Sequence, residues 1–239
     1  MVKKTKESRA PVRRASQAAS ARKRSAPRIA AASEPAPYHH GALHQALLEA
    51  AERVLERDGL SGLTLRAVAR EAGVSHAAPT HHFGDLSGLL SELAAIGFRQ
   101  FNVAMTAAGP FGASPMDKAP ARAKAYVAYA QAHPGMYGLM FRTERLDMSR
   151  PALREAASAS FAELAGAVGA FRHEQISEQA LSLEQGAAIA RAWSLVHGFT
   201  MLLLDGRLAD ILRRLPEGTD AETLLGAMLK ATVVRPPGA

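Results

Sequence analysis

Thr64-Leu65-Arg66-Ala67-Val68-Ala69-Arg70-Glu71-Ala72-Gly73-Val74-Ser75-His76-Ala77-Ala78-Pro79-Thr80-His81-His82-Phe83 is the stretch that decides the fold. Thr64 stands at an N-cap position, and Leu65, Val68, Ala69 and Ala72 then share one face of a short helix that Gly73 ends. Ser75 is placed to cap a further helix, with Val74 set for a staple-like contact with its first turn. Two short helices joined by a tight glycine-containing turn make a helix-turn-helix, whose second helix can enter the major groove of DNA. Ala77 and Ala78 let that helix approach the groove floor, and Ser75, His76, Thr80 and His81 offer donors and acceptors to bases or phosphates. With Thr64, Arg66 and His82 these residues (Ser75, His76, Ala77, Thr80, His81) form the candidate DNA-contacting set. Pro79, about one turn in, forfeits at most an early intrahelical bond, and Phe83 and Val74 read as core anchors.

Upstream, Leu43, Leu47, Ala50, Ala51, Val54 and Leu55 recur at three- and four-residue spacing, a first helix of about four turns with Gly59 as its stop. Downstream, breaks fall at 109–115, 133–135, 150–151, 177–182, 205–206 and 216–219. They leave expected helices at 86–108, 116–132, 136–146, 151–174, 183–204 and 220–232. No alternating β-branched run argues for a sheet and no repeat period is present. The expected fold is all-α: an N-terminal three-helix head over 38–85 and a C-terminal α-helical bundle over 86–239.

The 239 residues carry a formal charge of +7, unevenly placed. Residues 1–37 hold ten Lys and Arg against two acids, so this segment is +8 and the remaining 202 residues are −1. Rich in Ala, Ser, Arg and Pro, the segment is expected to be a disordered basic tail, either a solvated arm or one that binds phosphates without sequence preference. Mean hydropathy is −0.06. The most apolar stretch, Ala187 to Leu204, is broken by Arg191 and His197, so no membrane span is expected, and the basic N-terminal residues lack an apolar run, so no secretory signal is expected. A cytoplasmic location is the expectation. With no cysteine there is no disulfide, thiolate metal site or thiol nucleophile.

The 64–83 stretch resembles the DNA-binding domain of the TetR repressor family, as do Tyr38-His39-His40-Gly41-Ala42-Leu43 before it and Leu89-Leu90 after it. Farther on, Trp193-Ser194-Leu195-Val196-His197-Gly198 is similar to the Trp-His-Gly signature of one C-terminal domain type in that family, and His133 to Phe141 to its middle portion. The resemblance implies a ligand-responsive repressor whose helical body surrounds a small-molecule effector pocket. It further implies a homodimer in which 183–204 and 220–232 pair across the axis and set two heads about one DNA turn, roughly 34 Å, apart or somewhat more. Effector binding would change that separation and release the double-stranded operator. Two positions depart from the family's habit: Thr80 replaces a common Tyr and Leu86 a common Lys, both associated there with phosphate contact. Residues 38–85 hold four arginines against six acids, acidic for a DNA-binding head, so the basic tail is expected to supply phosphate affinity.

Six of nine histidines lie in or beside the head, but no Cys or paired carboxylate completes a ligand set, so neither metal nor cofactor is expected. Trp193 and His197, four apart, share a helix face, either as a core tryptophan and a hydrogen-bonded histidine or as ligand contacts. Met136, Tyr137, Met140, Phe141, Trp193, His197 and Met201 form the candidate pocket set, with Phe199 as a further apolar neighbour. No phosphate loop, activated nucleophile or motif-placed carboxylate pair points to catalysis, so no enzyme is expected. The rival readings are a non-specific nucleoid-type binder using the tail and, behind it, a helical enzyme or interaction protein.

Overall fold

A computed structural model describes residues 38–109, 112–177 and 179–231; the basic segment 1–37 lies outside them, as do the side chains of Tyr38, His39 and His40. Helix α1 (Tyr38–Gly62) buries Leu47, Ala50, Ala51, Val54 and Leu55, one apolar stripe. Gly59, expected to stop the first helix, does leave helical dihedrals, with φ of 67°, and a short further helical turn runs on to Gly62. α2 (Leu65–Glu71) starts at Thr64, whose Oγ1 accepts from Ala67 N–H at 3.1 Å. It ends in a Schellman turn: Gly73 N–H donates to Arg70 O at 3.2 Å and Val74 N–H to Ala69 O at 3.0 Å. Gly73 has φ of 68°, the left-handed region this turn requires.

α3 (Ala77–Phe83) corrects one expectation. Ser75 does not cap it with its side chain; His76 occupies the N-cap, and the first turn closes tightly, with Ala78 N–H donating to the Ser75 carbonyl at 3.0 Å. The backbone carbonyl takes the donor that the hydroxyl was expected to take, and the Ser75 side chain stays exposed.

Asp85 caps α4 (Leu86–Thr106), accepting from Gly88 N–H at 2.8 Å. α4 is apolar along most of its length, burying Leu89, Leu90, Leu93, Ala94, Phe98, Phe101 and Met105, and so belongs to head and body alike. The body continues with α5 (Pro115–Ala132), α6 (Pro134–Met140), a 3₁₀ turn (Thr143–Arg145), α7 (Pro151–Arg172), α8 (Leu183–Leu204), α9 (Ala209–Leu212) and α10 (Ala221–Ala231). No strand occurs among the described residues.

The helix expected over 136–146 is shorter and earlier. Pro134 starts it, since a proline costs nothing where the amide has no helical partner. It stops at Met140 because Phe141 and Arg142 leave helical dihedrals as the chain turns toward α7. The single turn of α9 was not expected from the sequence. Ser182 and Gln185 form a capping box at the head of α8, each side chain bonding the other's backbone N–H (3.2 and 3.1 Å).

One buried cluster runs through α1–α7; a second joins α5, α8 and α10 around Val127, Phe199 and Leu225, and a third joins α7 to α8. α1–α3 therefore rest on the later helices through shared apolar packing along α4.

Candidate nucleic-acid interface and the polar cluster of the body

α3 has two distinct sides. Pro79 and Phe83, four apart, are buried, and Phe83 is 1% exposed. Ser75, His76, Ala77, Thr80 and His81 are exposed, so one outward face carries hydroxyl and imidazole groups on a small-residue surface. His82 is half-buried and turns toward α1, its ring centroid 5.8 Å from that of His44. Thr64 spends its hydroxyl on the α2 cap.

Two of the head's four arginines are committed. Arg53 and Arg57 both bond Glu71, at 3.0 and 2.9 Å, and Arg57 also pairs with Asp58. The two guanidiniums, Arg57 foremost, hold the Glu71 carboxyl below the usual glutamate range. Arg66 and Arg70 are exposed one turn apart on α2 and make no ion pair among the described residues. They are the uncommitted cations of the head.

In the body, three polar side chains meet inside the packing. The Tyr137 hydroxyl lies 2.7 Å from His197 Nδ1 and 3.1 Å from the Tyr126 hydroxyl, which is itself 3.0 Å from Nδ1. α5, α6 and α8 contribute one member each. Burial raises both phenols and lowers the imidazole, so the cluster is uncharged at neutral pH. Phe141 packs on the His197 ring at 4.7 Å and Trp193 at 5.9 Å.

Of the seven candidate pocket residues, Tyr137, Phe141, Trp193 and His197 are thus brought together. Met136 and Met140 lie instead against α4, where a Cβ on Gly97 would meet both at 3.0 Å or less. Met201 is 38% exposed. A cavity of about 240 Å³ between α1 and the α5–α6 junction touches Met136 alone among the seven, and another of about 260 Å³ between α5 and α7 touches none. Sequence reasoning missed Tyr126; its one available signal was an aromatic pair, Tyr126 and Tyr129, on one side of an alanine-rich helix. Among the described residues no group of three or more His, Asp or Glu side chains is arranged to hold a metal ion.

Two family models match the chain: "Bacterial regulatory proteins, tetR family" over residues 47–93 and "Tetracyclin repressor-like, C-terminal domain" over 119–231. No curated protein matches. Among solved structures, a protein with unknown function from a Rhodococcus species is 33% identical, with a TM-score of 0.62, over 82% of this chain and 96% of its own. The TetR family transcriptional regulator PfmR from Thermus thermophilus shares the fold at 16% identity (TM-score 0.53; 79% and 99% covered). A TetR family member from Streptomyces coelicolor does so at 21% identity (TM-score 0.51; 79% and 96% covered). The first model takes in α2 and the two-sided α3 and the second takes in Tyr126, Tyr137, Trp193 and His197, and with both in place the chain belongs to the tetR family of bacterial regulatory proteins, as a DNA-binding transcriptional regulator.

Proposed function

We propose that this regulator works as a homodimeric repressor in the cytoplasm, reading an operator with two copies of α3 and leaving it when a small molecule binds the body. The observation that carries the reading is the division of α3 into a buried side, Pro79 and Phe83, and an exposed side bearing Ser75, His76, Ala77, Thr80 and His81. Side chains of that size and polarity suit base edges in a major groove. Arg66 and Arg70 on α2, with the cations of 1–37, supply contacts to phosphate. Residues 38–85 then act as the reading head and 86–239 as the part that binds ligand and dimerises.

A second copy is favoured by α8. This helix is apolar and long enough to cross a membrane, yet only 22% of its most apolar window is buried within the chain. Met201 and Leu202 are 38% and 43% exposed, and Ala187, Ala190, Ser194 and Gly198 add a close-packing stripe on the same helix. A dimer covers such a face. For the effector, the aromatic wall of Phe141 and half-exposed Trp193 beside His197 is the favoured place, since stacking and a hydrogen-bonding ring meet there.

The test is selection of bound sequences from a random DNA pool. The expected result is an inverted repeat with half-sites about one helical turn apart or somewhat more. Recovery without any enriched sequence would leave the non-specific binder as the better reading. Removing residues 1–37 should flatten the salt dependence of binding, by a slope of about 0.9 for each phosphate that the shortened chain no longer neutralises.

A further inference from the structure

Arg150, the residue before α7, reaches out of the body to the end of the recognition helix. Its Nη2 donates to the carbonyl of Phe83, the last residue of α3, at 2.6 Å. Its Nη1 donates to Glu92 Oε1 at 3.1 Å, and the other Glu92 oxygen lies 2.8 Å from His44 Nε2 on α1. The His44 ring in turn packs on Phe83 at 4.9 Å. The loop that carries Arg150 is tied to α4 a second time, by Asp147 N–H donating to the buried Ser91 hydroxyl at 2.8 Å. One guanidinium therefore joins α3, α4 and, through Glu92 and His44, α1.

The chemistry suits the place. The Phe83 carbonyl is among the last four of α3 and has no partner within its helix, and it sits at the negative end of the helix dipole, where a cation is favoured. Access is built in at Gly88. A Cβ there would lie 2.1 Å from the Phe83 oxygen and 2.3 Å from Arg150 Nη2, so any other residue would displace the guanidinium or α3. The 141–150 segment starts at Phe141, whose ring rests on His197 and Trp193 at 4.7 and 6.3 Å. The residue that grips α3 thus ends a segment whose beginning touches the polar cluster of the body.

We propose that Arg150 is a positioning residue for the reading surface: it holds the C-terminal turn of α3 against α4 and makes the placement of Thr80 and His81 depend on where the 141–150 segment lies. This rests on α3 being the DNA-reading helix. A movement of Phe141 would be felt at α3 through one side chain rather than through a shift of the whole body.

The test compares the full chain with Arg150→Gln, Arg150→Lys and Gly88→Ala by amide hydrogen exchange without DNA and by affinity for the DNA selected with the wild type. With Arg150→Gln, the amides of residues 80–84 should exchange at least tenfold faster and affinity fall at least tenfold, while α8 amides stay within twofold. Gly88→Ala should reproduce both effects with Arg150 present. Arg150→Lys should recover part of each, because it keeps the charge at the helix end and loses the fork that holds Glu92. Exchange at 80–84 and affinity both within twofold of wild type would overturn the proposal. So would faster exchange throughout the chain in equal measure, which marks a residue that only stabilises the fold. Should the wild type enrich no sequence, the DNA-reading role fails, and the exchange data still judge the grip on α3 by itself.

Discussion

The head and the body treat polar side chains in opposite ways. α1–α3 build their core from Leu47, Val54, Leu55, Val68 and Phe83, and α3 turns Thr80 and His81 outward. The body turns Tyr126, Tyr137 and His197 inward and bonds them to one another. Apolar burial is non-directional, so it holds α3 by area and leaves its outer face free to be chosen for reading. A hydrogen-bonded cluster is directional. Each buried polar atom must meet its partner, and this fixes the register of α8 against α5 and α6. α3 is held mainly by apolar anchors, with one directional contact from Arg150 at its end, whereas a core that must keep one arrangement gains from a satisfied polar network.

The sharpest way to break this contrast is at the anchor. Phe83→Ala should cost about 3–5 kcal/mol, since it empties a site that is 1% exposed in the cluster shared by head and body. Equilibrium urea unfolding measures it, and a loss under about 1 kcal/mol would mean that α3 is not held by this ring. Next in size is Tyr137→Phe. It removes the hydroxyl nearest His197 Nδ1 and leaves Tyr126 as the remaining partner, an expected loss of about 0.5–1.5 kcal/mol by the same measurement. A neutral outcome would make the cluster ordinary packing.

Smaller still is a dependence on pH. Burial lowers the His197 pKa below its ordinary 6.5, so below that pH the unfolded chain takes up a proton that the folded chain refuses. Stability from this group is complete above 6.5 and is lost as pH falls through the lowered folded value. Unfolding midpoints at pH 7.5 and 5.5 should therefore diverge more for the wild type than for His197→Gln. Equal divergence would place the pH response in other histidines.

These contrasts are unequally legible in the sequence. The head is readable because its signals are local: the Thr64 cap, the Gly73 turn and the Phe83 anchor all act within a few residues, whereas the burial of Pro79 beside Phe83 is seen only in the structure. Ser75 misleads because hydroxyl and carbonyl compete for one amide, and backbone dihedrals decide which wins. In the body, Trp193 and His197 are visible as one helix face, but the partners of His197 are 71 and 60 residues away and no spacing rule joins them. Arg150 is invisible for the same reason. Its partner is a backbone carbonyl 67 residues away, and a carbonyl has no letter in the sequence.

The smallest expected effect on folding falls where the largest effect on reading is expected. Thr80 and His81 are exposed, so Thr80→Ala and His81→Ala should each shift stability by no more than about 0.5 kcal/mol. If either side chain reads a base edge, its loss should weaken binding to the selected DNA by about 1–3 kcal/mol and relax preference at one position of each half-site. A phosphate contact behaves differently: its loss weakens all sequences alike and lowers the salt slope. Arg66→Ala and Arg70→Ala are expected to show this second pattern, because both side chains are exposed on α2 and lack a carboxylate partner among the described residues. Measuring affinity for selected and scrambled DNA at two salt concentrations separates the patterns. Should Thr80→Ala and His81→Ala change neither affinity nor preference, the reading face lies elsewhere on the head, and the free outer side of α3 loses its claim.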